Sequence, residues 1–146
     1  MLFRSVCVAF AQGNIGKAVQ LATSDSFNEI KNSALHLLKN VSKMEINDII
    51  ATVKSVSEFK IDIQDYLDFL AVWYRDILYF KATRDSNGLI FKDELNVITD
   101  QINKSSYEGI ENILRGLQTA KTRLNANVNF DLTMELLFLL IKENLV

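Results

Sequence analysis

No proline occurs at any of the 146 positions of this chain, where ordinary usage would place about seven. Proline most sharply ends or kinks a helix interior, because it lacks an N–H and its ring meets the preceding turn. A chain free of it can sustain long helices wherever its apolar residues hold helical phase, and here they hold it along most of the sequence. Strand-like alternation, internal repeats and low-complexity linkers are not part of the pattern. The expected fold is therefore all-α, a helical bundle. A hydrophobic content of 49% supplies a core for one domain, or for one domain plus a fragment of another.

Leu2 to Ala11 reads as a helix ending near Gly13, and Ile15, Ala18, Val19 and Ala22 define a second from about Gly16 to Thr23. Ser24 or Asp25 starts a third, with Phe27, Ile30, Ala34, Leu37 and Leu38 facing inward. Ser42 followed by Glu45 has capping-box spacing, ahead of Ile46, Ile49, Ile50 and Val53. Asp62 and Asp65 open the longest helix, which runs to about Thr83 with a seam of Leu67, Leu70, Ala71, Tyr74, Ile77 and Leu78. Ser86-Asn87-Gly88 is a turn. Beyond it Leu89-Ile90-Phe91 reads as an extended connection or a short turn of helix, and a helix follows from about Asp93 to Ile102.

Ser105 and Glu108 have capping-box spacing again, before Ile110, Ile113, Leu114, Leu117, Ala120 and Leu124. Three alternating asparagines, Asn125, Asn127 and Asn129, then interrupt the pattern. Asparagine tolerates the left-handed conformation at a helix C-terminus, and Asn129 is placed to cap the last helix, from Phe130 to about Asn144. That helix is apolar around most of its circumference, which marks a helix buried centrally or shared with a partner.

The chemistry excluded is broad. With 16 basic and 18 acidic residues the net charge is −2, unlike a strongly basic nucleic-acid grip. The longest unbroken apolar run, Leu136 to Ile141, falls far short of the ~20 residues a spanning helix needs. Met1-Leu2-Phe3-Arg4 lacks the parts of a signal peptide. The single cysteine, Cys7, cannot form an internal disulfide and suits a reducing compartment. No membrane partner and a cytoplasmic location are the expectations. The sole histidine, His36, has no visible catalytic partner and reads as a half-buried helical residue.

Asp62, Asp65 and Asp68 share one helical edge and read as caps and dipole compensation, not as metal ligands. Gly13-Asn14-Ile15-Gly16 reads as a structural turn, and a Walker A loop is absent. Catalytic residues, cofactor-binding residues and metal ligands are accordingly set at none, and the chain is not expected to be an enzyme. Lys121 and Arg123 read as a solvated helix end, where cations are favourable. Trp73 and Phe80 lie off the seam of the longest helix at i, i+7. They form a second apolar face, to be covered by the chain itself or by a neighbouring subunit, and they are the candidate interface residues.

Three segments resemble one family. Arg123-Leu124, Asn127-Val128-Asn129 and the leucine-rich Leu132 to Ile141 are similar to the C-terminus of the delta-prime subunits of bacterial DNA polymerase III, clamp-loader proteins. Gly13-Asn14-Ile15-Gly16-Lys17-Ala18 resembles the turn that opens the last helix of a clamp-loader lid. Trp73-Tyr74-Arg75-Asp76-Ile77-Leu78-Tyr79-Phe80 is similar to the aromatic mid-helix of Gram-positive members. The resemblance implies the end of an AAA+-type lid domain over 1–23 and a helical collar, or oligomerisation domain, over 24–146. Gly16 stands where hydrolysing relatives carry a nucleotide-sensing arginine, so nucleotide sensing is not implied.

The implied role is non-catalytic subunit assembly in the clamp loader, which loads the sliding clamp during DNA replication. The implied partners are gamma/tau and delta subunits, bound by helix packing, with DNA contacted at most through the complex. A helical ligand- or effector-binding regulatory domain is the alternative, and it would need a bundle pocket lined by convergent polar groups. Gly13, Gly16, Ser42, Ser105, Asn127 and Asn129 are the expected turns and caps.

Overall fold

A computed structural model describes residues 25–145. The two helices and the lid remnant expected before residue 24, with Cys7, Gly13 and Gly16, lie outside the described residues. What the described residues form is an all-α bundle, without strands. Its helices are α1 (Asp25–Asn40), α2 (Ile46–Val56), α3 (Ile63–Thr83), α4 (Leu95–Lys104), α5 (Tyr107–Asn125) and α6 (Phe130–Glu143). None of them is long and apolar enough to cross a membrane.

Helix α3 is the central element, packed against α1, α4 and α5, while α6 lies on α5, on α2 and on the turn after α1. The sequence makes α6 the most apolar helix, yet α3 is the more enclosed one. Ile63, Tyr66, Leu67, Phe69, Leu70, Ala71, Trp73, Tyr74 and Ile77 are all buried along it. This set covers more than one face, because helices pack on several sides. On α1 the expected inward residues Phe27, Ile30, Ala34, Leu37 and Leu38 are buried as well.

Two caps differ from the sequence expectation. A 3₁₀ turn, Val41–Lys43, continues directly from α1 and holds Ser42 inside it. An N-cap needs extended backbone, and Glu45 has it (φ −90°, ψ 172°). Asp48 Oδ2 accepts the Glu45 N–H at 3.0 Å, so the cap of α2 lies three residues beyond Ser42. Likewise α5 is capped by Ser106, whose Oγ accepts the Gly109 N–H at 2.9 Å. Ser105 closes α4 instead, its buried hydroxyl donating to the Gln101 carbonyl at 2.7 Å.

The asparagine turn is a Schellman motif. Asn127 sits in the left-handed region (φ 61°). Its N–H donates to Leu124 O, and the next N–H, of Val128, reaches back to Arg123 O at 3.0 Å. Asn129 Oδ1 then accepts the Leu132 N–H at 2.9 Å and opens α6.

Between α3 and α4 the chain passes the 3₁₀ turn Ser86–Gly88 and runs extended before a second one, Lys92–Glu94. The extended stretch is strapped to α3 by one buried carboxylate. Asp76 Oδ2 accepts the N–H of Ile90 at 2.9 Å and of Phe91 at 2.8 Å. Burial holds the Asp76 carboxyl above the usual carboxylate range, and the two N–H donors offset a part of that.

A raised folded pKa means that this group's contribution to stability is complete below the ordinary carboxylate range. It is lost as pH rises through the raised value. Asp76→Asn keeps one oxygen for both donors and removes the buried charge. Its melting temperature at neutral pH is expected to equal or exceed that of the parent, without the parent's acid-side gain. Asp76→Ala strands two N–H groups and is expected to cost about 2–4 kcal/mol. Urea titrations of the three proteins across the acid range check both outcomes.

Candidate functional site

Of the two covers open to the face of Trp73 and Phe80, the candidate interface residues, the chain itself supplies the one over Trp73. Trp73 is fully buried. Its Nε1–H donates to Gln101 Oε1 at 3.0 Å, and Gln101 Nε2 donates to the Leu38 carbonyl at 2.7 Å. One side-chain relay thus ties α3 to α4 and α1. Phe91 packs on the indole at 5.3 Å between centroids and edge-on to Phe69 at 5.1 Å. Phe80 is half-buried against the same core. Burial by a strap and a helix from later in the chain removes Trp73 from any surface.

Other singled-out residues supply no reactive set. His36 is exposed on α1, not half-buried, and its carbonyl accepts from Asn40 at 2.8 Å. Asp68 forms an ion pair with Lys121, joining α3 to α5, so Lys121 is not part of a solvated helix end. Desolvation pushes that lysine below its usual range. Burial pushes the phenols of Tyr66 and Tyr74 far above theirs, out of reach of acid–base work near neutral pH. No group of His, Cys, Asp or Glu suited to a metal ion occurs among the described residues.

A depression is bordered by Lys39, Lys43 and Lys104, with Asp100 among them. Two of those charges are already matched, Lys39 by Glu94 and Lys104 by Asp100, each at 2.9 Å. It is therefore a poor anion site.

The surface left with unmet packing lies along α5 and α6. These helices run antiparallel, with Gly109 of α5 beside Asn144 and the Asn112 and Asn144 amides hydrogen-bonded at 3.3 Å. Between them runs an open groove with Ala120, Leu136, Leu137 and Leu140 in its floor. Gly116 has no side chain, and Leu140 occupies the space that a Cβ would need. One rim carries Arg115 and Arg123, and Glu143 stands at the end away from Arg123. Arg115 is steadied by Asn112, whose Oδ1 accepts from Nη2 at 3.1 Å.

On α6, Leu132 is 52% exposed and Leu136 47% exposed, one turn apart on a single face. Periodicity marks α6 as buried or shared. The structure divides it into a buried face, with Met134, Leu137, Phe138 and Ile141, and an open apolar one. Ile46 and Ile50 of α2 are exposed at the same i, i+4 spacing.

The described residues thus define an all-helical domain whose surface offers a packing groove rather than a reaction site. The chain belongs to the family described as DNA polymerase III, delta subunit, C terminal, whose model matches residues 29–143. It is similar to the DNA polymerase III subunit delta' of Bacillus subtilis (strain 168), with 26% identity over 133 residues. That alignment covers 89% of this chain and 40% of the relative, so the chain spans well under half of the relative's length. No solved structure gives a significant match.

Proposed function

We propose that this chain is a non-catalytic assembly domain of the DNA polymerase III clamp loader, contributed by a delta-prime-type subunit. In this reading residues 24–146 are the helical collar and residues 1–23 the end of a lid domain. Its neighbours are gamma/tau and delta subunits, and its mechanism is positional. Helix packing ties subunits together so that ATP-driven movements elsewhere in the assembly are coordinated while the sliding clamp is loaded. DNA is met only through the complex, in the cytoplasm.

The observation that carries this reading is the open apolar face of α6 beside the α5 groove, in a chain of this family. Exposed leucines on a well-packed helix are the surface that a partner helix covers. An effector-binding domain would need an enclosed pocket with convergent polar groups, and the groove is open and floored by aliphatic side chains.

The test is the double variant Leu132→Ser/Leu136→Ser. Both residues are about half-exposed, so stability is expected to change by less than about 1 kcal/mol. Association with gamma/tau and delta subunits from the same source is expected to weaken by at least about tenfold, as loss of two interface anchors implies. Unchanged association would remove the α6 face from the assembly.

A further inference from the structure

Resting on the assembly reading, we infer that the α5–α6 groove receives one helix of a neighbouring protein subunit, whose apolar stripe is flanked by carboxylates facing Arg115 and Arg123. The groove's dimensions select a helix. Its α5 wall runs from Asn112 to Arg123, about 17 Å or three helical turns at 1.5 Å per residue. The α6 side offers Leu136 and Leu140 at i and i+4, with Leu132 exposed one turn before them on the same face, a ridge that a third helix packs across. Two helices with a vacant third position and an aliphatic floor form a helix-in-groove site.

The floor holds no aromatic residue on which a base would stack, which disfavours a nucleic-acid occupant. The rim adds direction. Arg115 and Arg123 are both exposed and eight residues apart, about 12 Å along α5. Carboxylates seven or eight residues apart on the incoming helix match that spacing. Glu143, on the α6 side at the Arg115 end, favours a cation across from that arginine and so sets which way the helix lies. Exposed rim charges steer encounter and choose partners more than they add affinity, and salt screens them.

The experiment titrates gamma/tau and delta subunits into the chain at about 50 mM and about 500 mM NaCl, where screening is weak and strong. It compares the parent, Arg115→Glu/Arg123→Glu, and Leu136→Ser. The expected result is parent binding that weakens with salt. The charge-reversed protein should bind about tenfold weaker at low salt and within about twofold at high salt, as screened rim charges behave. Leu136→Ser should be weakened at both salts, and all three should melt alike.

Parent binding that the arginine reversal leaves unchanged overturns this inference while leaving the assembly reading in place. A parent that binds neither subunit overturns both. A parent that self-associates, with the same salt dependence and the same loss on arginine reversal, gives the groove to a second copy and overturns the proposed occupant.

Discussion

Trp73→Ala is expected to lower the stability of the domain by about 4–8 kcal/mol. Truncating a buried tryptophan costs about 3–5 kcal/mol through lost transfer energy and the cavity left behind. The indole N–H is also the donor to Gln101 Oε1, and a buried acceptor left without it adds about 1–3 kcal/mol. Small domains have about 5–15 kcal/mol in total, so the variant should be partly unfolded at room temperature. Trp73→Phe keeps most of the packing against Phe91 and removes only the N–H, and should cost roughly half as much. Urea unfolding followed by far-UV circular dichroism measures both. A midpoint for Trp73→Ala equal to that of the parent would contradict the buried relay joining α3, α4 and α1.

Leu137→Asp should abolish folding, whereas Leu136→Asp, one residue earlier on the same helix, should fold. Leu137 is 4% exposed and faces α5 near Gly116. A carboxylate there loses water, gains no partner and costs several kcal/mol beyond the lost apolar contact. Leu136 points into the open groove, where a carboxylate keeps its hydration, so the change should stay within about 1 kcal/mol. Helix propensity is the same in both variants, which isolates burial as the cause. Equal melting temperatures would show that the division of α6 into covered and open faces is wrong.

The pattern of apolar residues carried most of the fold. In α1, α3, α5 and α6 the 3.6-residue phase picks out side chains that the bundle buries, and a local rule places a turn at Asn127 and Asn129. Caps were less legible, because Ser42 has the spacing of a capping box without its backbone, and Ser105, although extended, stands one residue before the true cap. The 3₁₀ turn that carries α1 past Asn40 decides the first case. The second is decided by a pair of serines, Ser105 closing one helix and Ser106 opening the next.

Which cover Trp73 receives, the chain's own or a neighbour's, was not decided by its position on the helix. Its cover comes from Gln101, twenty-eight positions on, and from a strap held by Asp76. Asp76 within an apolar helical run was the available signal, since a buried carboxylate requires donors. For the same reason the groove could not be found from periodicity. Leu132 and Leu136 are as apolar as Leu137 and Phe138, and only the placement of α2 and α5 determines which of them stay open.

The most direct test of the assembly role is light-scattering chromatography of the chain, alone and mixed with gamma/tau and delta subunits from the same source. A hetero-oligomer of defined mass that contains this chain is the expected result, with its loss in Leu132→Ser/Leu136→Ser while the variant still folds. A folded chain that elutes at its own mass beside both subunits would contradict it.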